Sequence, residues 1–253
     1  MRLTKHISLA GGGRFGLSNP YDCSIYAIDF ADGIILVESG CGLEPELVEA
    51  NLQMDGIDIK RVTAIVLTHA HADHAGGCRW WKDRTGCQIY APEGERGAIE
   101  GTDAVSAQVL ETAKQAKIYP PDYVLSSIKV DGGVHDGDDL RFGALHLRAI
   151  EIAGHSPHHT CYRTDMDGRR IFFSGDAVLY GGSLLLQNIP GCSLDEYRRD
   201  IDKLTGLDAD ILLPGHGIFV MRHAQAHLNR ALEALHGLAI PPNFAVLCPK
   251  VIP

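Results

Sequence analysis

The side chains best suited to chemistry crowd into one short segment, which runs from Thr68 to Gly77 and reads THAHADHAGG. In an extended chain, side chains alternate, so His69 and His71 should point to one side. Asp73 and His74 follow where the chain turns toward a helix, and they can address a second point. Three imidazoles and a carboxylate within six residues are costly to bury without a common partner. Since these ligand types suit zinc, iron and manganese, the segment predicts a metal site.

Three single residues share another pattern, an apolar strand that ends in a small-residue loop with one potential ligand. They are His155, Asp176 and His216, each with a glycine on its N-terminal side. Glycine lets the backbone turn sharply and approach a site closely. A lone histidine in such a loop is more often structural, but the dense 69–74 cluster favours the metal interpretation. Together the motifs supply five histidines and two aspartates, enough for two metal ions that share a bridging ligand.

These motifs and their order resemble those of the metallo-β-lactamase-fold superfamily of hydrolases, over roughly residues 25–217. The H-x-H-x-D-H motif of that family is matched here from His69 to His74. The resemblance implies an α/β fold, a four-layer αβ/βα sandwich of two mixed sheets flanked by helices, with the site at the strand ends between the halves. It also implies that one metal is held by His69, His71 and His155, the other by Asp73, His74 and His216, with Asp176 as the bridge.

The chemistry implied is hydrolysis by two divalent metal ions, zinc in the first place, with iron or manganese as alternatives. Two such ions about 3.5–4 Å apart lower the pKa of a shared water toward about 7 and generate hydroxide as the nucleophile. Asp73 is the expected catalytic residue, because it can handle the proton. The expected substrate is a small molecule with an ester, lactone or thioester bond.

Three further residues are candidates for supporting a ligand or contacting substrate: His159, His158 and Tyr180. The family often has a supporting histidine at the first position, although a loop histidine could simply hydrogen-bond there. The second position is usually small, so His158 is a departure that is either solvated or reaches substrate. Tyr180 lies near the point where lactone-opening members place a tyrosine, but packing in a turn explains it equally well.

The branch of the family is narrowed by two comparisons. Antibiotic-hydrolysing members generally carry Cys or Ser where this chain has Asp176, which disfavours a β-lactamase. Glyoxalase II enzymes keep all seven ligands but add a C-terminal helical domain, and only 37 residues (253 − 216) follow His216 here. The set of seven ligands favours a glyoxalase II-like or lactonase-like branch, although these 37 residues are too few for the added domain of glyoxalase II. The alternatives are a persulfide dioxygenase-like oxidoreductase with one iron, and a non-catalytic metal-binding protein of the same fold.

Composition restricts the partners of this chain of 253 residues. Its formal net charge of −9 and the lack of a Lys/Arg-rich run disfavour nucleic acid. Neither a signal-peptide core nor an apolar run of about 18 residues is present, so we expect a cytoplasmic protein without a membrane partner. The seven cysteines are scattered without a C-x-x-C pair, which is typical of reduced thiols. Oligomeric state leaves no signal in the sequence.

The elements expected to position the site form a single domain over residues 1–253, with a helical insertion near 92–127. A continuous apolar run over 62–67 predicts a buried strand that ends directly before His69. Further predicted elements are a hairpin of strands at 24–28 and 33–38, a strand at 128–130, a helix capped by Ser193, and a last helix over about 221–236.

Overall fold

The computed structural model describes residues 1–247. The chain divides into two compact units: the first comprises Met1–His135 and Arg141–His146, the second Asp136–Leu140 and the chain from Leu147 onward. The expectation of a single domain over the whole chain stays a prediction. Cys248 lies outside the described residues, whereas the other six cysteines are free thiols, as expected, and five of these are buried.

The first unit is built on a six-stranded sheet whose spatial order follows the chain. The strands are β1 (Ile7–Gly11), β2 (Ile25–Phe30), β3 (Gly33–Val37), β4 (Val62–Val66), β5 (Gln88–Pro92) and β6 (Gly132–Val134). The first three pair antiparallel and the remaining pairs are parallel, so the sheet is mixed. All five residues of β3 are buried, as expected for a strand covered on both faces.

Five helices accompany this sheet: α1 (Pro45–Met54), α2 (Ala72–Ala75), α3 (Cys78–Thr85), α4 (Arg96–Ile99) and α5 (Ala104–Gln115). Val48 and Leu52 of α1 are buried one turn apart and join the core of this unit, which also contains the fully buried Trp81. Asp103 caps the N-terminus of α5, because its carboxylate accepts hydrogen bonds from the backbone N–H groups of Val105 and Ser106.

The second sheet has five strands in the order β11-β10-β9-β8-β7. They are β7 (Asp139–Phe142), β8 (Leu145–Glu151), β9 (Thr160–Met166), β10 (Arg169–Gly175) and β11 (Ile211–Pro214). β11 pairs parallel with β10, whereas β10 pairs antiparallel with β9. Three helices follow in this unit: α6 (Leu194–Asp200), α7 (Ala224–His236) and α8 (Phe244–Leu247). The two mixed sheets with their helices confirm the predicted α/β class.

Several local predictions are confirmed. β2 and β3 form the expected antiparallel hairpin. Ser193 caps α6, since its hydroxyl accepts a hydrogen bond from the N–H of Glu196. The region near 92–127 contains α4 and α5, separated by a turn, whereas its interpretation as an insertion stays a prediction. Within residues 1–247, the structure contains no helix of the length and apolarity that a membrane span requires.

Other predictions were wrong. Residues 128–130 form no strand, because the N–H of Val130 donates to the Glu100 carboxylate and that of Ile128 to the carbonyl of Ile99. The strand of this region is β6, two residues further on. β1 was not predicted; it ends at Gly11, the first of three consecutive glycines. The last long helix, predicted over about 221–236, is confirmed over Ala224–His236, with a later first residue.

Candidate metal centre

The histidine motif of the first unit follows the end of β4 and continues into α2. His69 and His74 are fully buried, whereas the side chain of Asp73 is partly exposed. The ring of His69 lies 4.5 Å from that of His71 and 4.1 Å from that of His74, measured between centroids. The Oδ2 atom of Asp73 lies 3.7 Å from Nε2 of His74. All four predicted residues of this motif therefore lie together.

The motif is held against the loop that follows β3 by a very close backbone approach. A Cβ added to Gly76 would lie 2.3 Å from the carbonyl oxygen of Cys41, and one added to Gly77 would lie 2.1 Å from that of Ser39. The hydroxyl of Ser39 donates to the carbonyl of His74 at 2.6 Å, and its backbone N–H donates to the same oxygen at 2.8 Å. Only glycine fits at the two positions, and the close contact fixes the position of the motif relative to the loop after β3.

Glu38 is a buried carboxylate of this group that the sequence analysis missed. Its Oε1 atom lies 3.2 Å from Nδ1 of His74 and accepts a hydrogen bond of 2.5 Å from the hydroxyl of Thr68. That hydroxyl also lies 2.9 Å from Nδ1 of His69. Ligand atoms of Glu38, His69 and His74 lie within 4.8 Å of one another. With ring protons directed to this side, the two histidines present Nε2 for a metal ion.

A signal for Glu38 was present in the sequence. It directly follows the apolar strand Gly33–Val37, where a charged residue must be buried with a partner. Its backbone φ of 71° lies in the left-handed region, which is uncommon for a residue other than glycine. A burial argument applied to the end of β3, as it was to the end of β4, would have found it.

Asp73 is contacted by a tyrosine that follows α5. The hydroxyl of Tyr119 donates to Oδ1 of Asp73 at 2.8 Å and accepts from the backbone N–H of the same residue at 3.1 Å. Burial, reinforced by the negative charge of Asp73, raises the pKa of Tyr119 well above its usual value, so the phenol stays protonated. Nearby, the buried Glu95 accepts a hydrogen bond of 2.6 Å from the N–H of Ala70.

The second unit gathers the remaining three predicted ligands. The Oδ2 atom of Asp176 lies 3.4 Å from Nε2 of His155 and 3.3 Å from Nε2 of His216. Nδ1 of His155 pairs at 2.8 Å with the carbonyl oxygen of Leu185, which can only accept, so this nitrogen carries the proton. Nε2 of His155 is thereby directed toward the carboxylate and is the nitrogen left for a metal ion.

Asp176 is itself fixed through its backbone. Its N–H donates to Nε2 of His159 at 3.0 Å, and its carbonyl accepts from the hydroxyl of Tyr197 at 3.3 Å. His159 is fully buried, with its ring 6.0 Å from that of His155. Gly154 has a φ of 134°, and a Cβ there would lie 2.3 Å from the Tyr197 ring. His159 therefore supports a predicted ligand through the backbone of that ligand.

His158 and Tyr180 have other neighbours. The side chain of His158 is half-exposed, and its Nδ1 atom lies 3.4 Å from the carboxylate of Glu151. The ring of Tyr180 lies 4.8 Å from that of His227, whose Nδ1 accepts a hydrogen bond from the N–H of Gly181. A contact between the substrate and either of these residues stays a prediction.

The two groups of side chains fit divalent cations. Imidazole nitrogens and carboxylate oxygens are the donor set that zinc, iron and manganese share, and His69, His155 and Asp73 are each oriented by a second contact. Imidazole nitrogens without protons do not attract a carboxylate oxygen, whereas a shared cation would attract both kinds of ligand atom.

Comparison with known sequences decides the family. The sequence model of the metallo-beta-lactamase superfamily matches residues 18–216, which include all seven predicted ligands. The chain belongs to the metallo-beta-lactamase superfamily. An uncharacterized protein of Mycobacterium leprae is 29% identical over 189 residues, which make up 71% of this chain and 81% of that protein. A hydroxyacylglutathione hydrolase of Methylococcus capsulatus is 24% identical over 156 residues, 59% of this chain and 46% of that enzyme.

Solved structures of the superfamily share the fold. A subclass B3 metallo-beta-lactamase of Bradyrhizobium japonicum matches with a TM-score of 0.71 at 23% identity, over 93% of this chain and 90% of that chain. A metallo-beta-lactamase mutant from Cronobacter sakazakii also gives 0.71, at 20% identity over 93% and 94%. The predicted α/β fold of the metallo-beta-lactamase superfamily is confirmed.

Proposed function

We propose that this protein is a metal-dependent hydrolase that cleaves an ester, lactone or thioester bond of a small molecule at a dinuclear metal centre. The observation that carries the proposal is the position of Asp176, whose Oδ2 atom lies within 3.4 Å of two imidazole Nε2 atoms. One carboxylate facing two separate histidines is the arrangement expected of a ligand that bridges two cations. An aspartate with a purely structural or solvated role does not require two imidazoles at its carboxylate.

The ligand assignment follows the superfamily motifs. One metal is held by His69, His71 and His155, the other by Asp73, His74 and His216, and Asp176 bridges the two. The proposal is supported within each unit by the short distances among the ligands that unit contains. Zinc is the proposed metal, because four-coordinate sites of this composition suit it; iron and manganese accept the same ligands.

When bound, two divalent ions supply Lewis acidity and an activated water at neutral pH. The residues of the chain do the rest. Asp73 keeps Oδ1 in the hydrogen bond from Tyr119, so its Oδ2 atom is the one available to hold a proton during bond cleavage. Glu38 keeps the proton of His74 on Nδ1, and the carbonyl of Leu185 does the same for His155. Both rings are thereby oriented, with Nε2 left for a metal ion.

Three observations restrict the proposed substrate class. Asp176 stands where β-lactam-hydrolysing members generally carry Cys or Ser, so we disfavour an antibiotic substrate. The similarity to a hydroxyacylglutathione hydrolase, whose name denotes thioester hydrolysis, favours the glyoxalase II-like and lactonase-like branches. The acidic net charge of −9 further disfavours nucleic acid as the substrate.

Metal analysis with an activity panel tests the proposal. The full chain is purified without added metal, reconstituted with zinc, iron or manganese, and assayed with lactones, thioesters, aryl esters and a persulfide under oxygen monitoring. We expect two zinc ions per chain and turnover of at least one ester-type substrate. One iron with oxygen consumption would instead indicate a persulfide dioxygenase, and bound metal without any turnover a non-catalytic protein.

A matched pair of variants tests the bridging role. Asp176→Asn removes a charge from the proposed bridge, whereas Asp165→Asn makes the same change at an exposed carboxylate of β9. We expect the first variant to lose bound zinc and at least a hundredfold in kcat, and the second to match the wild type. Equal zinc content and turnover in both variants would refute the assignment of Asp176.

A further inference from the structure

We propose that Tyr119 is a positioning residue, which clamps Asp73 through two hydrogen bonds so that Oδ2 alone of its carboxylate faces the metal and the reacting atoms. The inference rests on the proposed function in the role given to Asp73. It adds a residue from outside the superfamily motifs, 46 positions along the chain from the aspartate that it holds.

The clamp closes on a single residue. One hydroxyl donates to Oδ1 of Asp73 at 2.8 Å and accepts from the N–H of Asp73 at 3.1 Å. One contact is to the side chain of Asp73 and the other is to its backbone. Because both involve the same hydroxyl, together they fix the rotation about the Cα–Cβ bond of Asp73. The remaining oxygen, Oδ2, is the atom 3.7 Å from Nε2 of His74.

The N–H of Asp73 needs this partner. Asp73 is the second residue of α2, and the first four N–H groups of a helix have no acceptor within it. A serine or threonine cap would normally supply one, but here the residue before the helix is His71, which makes no side-chain cap hydrogen bond. Tyr119 therefore satisfies a backbone donor that the metal motif leaves open.

Tyr119 is rigid enough to act as a clamp. It is 7% exposed and stacks on Tyr123, with ring centroids 4.9 Å apart. The hydroxyl of Tyr123 donates to the carbonyl of Cys41 at 2.8 Å, which ties the pair to the loop after β3. Leu110 and Ala113 of α5 pack against the same cluster. The helix and the following turn thus deliver the hydroxyl to one place.

The turn after α5 reverses the chain toward the metal motif. Lys117 adopts a left-handed φ of 58°, and the N–H of Ile118 donates to the carbonyl of Ala113 at 2.9 Å, as in a helix C-terminal motif. Tyr119 follows directly. The segment predicted as a helical insertion therefore has a defined task in this proposal, which is to hold one carboxylate.

Two tyrosine variants test the proposal, because each removes one hydroxyl and keeps the ring. Tyr119→Phe removes the clamp, and Tyr90→Phe, the control, removes an exposed hydroxyl of β5 that donates to the side chain of Gln88. The readouts are the affinity for the second zinc ion, from competition with a chromogenic chelator, and the separate values of kcat and KM. Thermal unfolding of the metal-free proteins reports on folding.

For Tyr119→Phe we expect about tenfold weaker binding of the second zinc and about tenfold lower kcat, with KM within twofold of the wild type. Tyr90→Phe should bind both zinc ions as the wild type does. Equal losses of zinc affinity in the two variants, or no loss in Tyr119→Phe, would overturn the proposal.

Hydrogen exchange on the unsubstituted, metal-free protein provides a test without any variant and without turnover. The N–H of Asp73 should exchange at least a hundredfold more slowly than in an unstructured peptide. Exchange at the unstructured rate overturns the clamp. Protection of this amide in a protein that hydrolyses no substrate would support the clamp and count against the proposed function alone, so the two failures are distinguishable.

Discussion

The Oε1 atom of Glu38 lies 3.2 Å from Nδ1 of His74, and both side chains are buried. This pairing links the end of β3 to the metal motif that follows β4. A carboxylate behind a metal-ligating histidine fixes the ring orientation and raises the basicity of the ligand nitrogen. Since Thr68 connects the same carboxylate to His69, one residue orients two proposed ligands.

Glu38→Gln should weaken zinc binding. The amide keeps the size of the side chain but loses the charge that holds the proton of His74 on Nδ1, and we expect a 10–100-fold loss in affinity. Chelator competition measures it. Glu46→Gln, at an exposed position of α1, is the control and should bind zinc as the wild type does. Unchanged affinity in Glu38→Gln would show that the carboxylate does not act on the ligands.

His159→Leu should destabilise the protein, whereas His158→Leu next to it should not. The first change leaves the buried N–H of Asp176 without its acceptor, which costs about 1–3 kcal/mol. The second removes a half-exposed ring whose contact with Glu151 is worth about 0–1 kcal/mol. Urea unfolding of the metal-free proteins compares the two. Equal midpoints would contradict the role given to His159.

Gly154→Ala should destabilise the protein more than Gly168→Ala. Both glycines have positive φ values, 134° and 68°, so alanine is strained at either position by about 1–2 kcal/mol. At position 154 the added methyl group also meets the ring of Tyr197, while position 168 has nothing within 4 Å. The difference in the free energy of unfolding measures the close contact, and a similar loss in both variants would argue against it.

Acid should weaken the fold through His227. Burial, with a smaller effect from the charge of Arg230, lowers the pKa of His227 below the ordinary 6.5. The unfolded chain therefore binds the proton first, and the stability present above pH 6.5 declines as the pH falls from 6.5 through the folded value. Unfolding midpoints between pH 7.5 and 5 should fall less steeply in His227→Gln. The same slope in both proteins would disprove the contribution.

The sequence predicted those parts of the site that lie where strands end. His69, His155 and Asp176 follow apolar runs, and such runs are visible because burial requires them. Within each unit, the ligands predicted there do lie together. Glu38 escaped the same argument only because a single carboxylate after a strand is a weak pattern without the histidines that it serves.

Tyr119 could not have been predicted from spacing. Asp73, its partner, is 46 residues away. The turn after α5 that brings Tyr119 to Asp73 depends on packing among Tyr21, Tyr119 and Tyr123. The wrong strand at 128–130 has a similar cause, because Ile128 and Val130 are buried but their N–H groups bond to α4 and its end. Periodicity reports burial, and it does not report which backbone partner is chosen.

The contact of Gly76 and Gly77 with the carbonyl groups of Cys41 and Ser39 restricts how this protein can be engineered. A library that varies the motif loop to change substrate preference must leave both codons fixed, since even a methyl group would push the loop from its seat and displace the histidines with it. Diversity is therefore better introduced along the exposed positions of α5 than inside the motif itself.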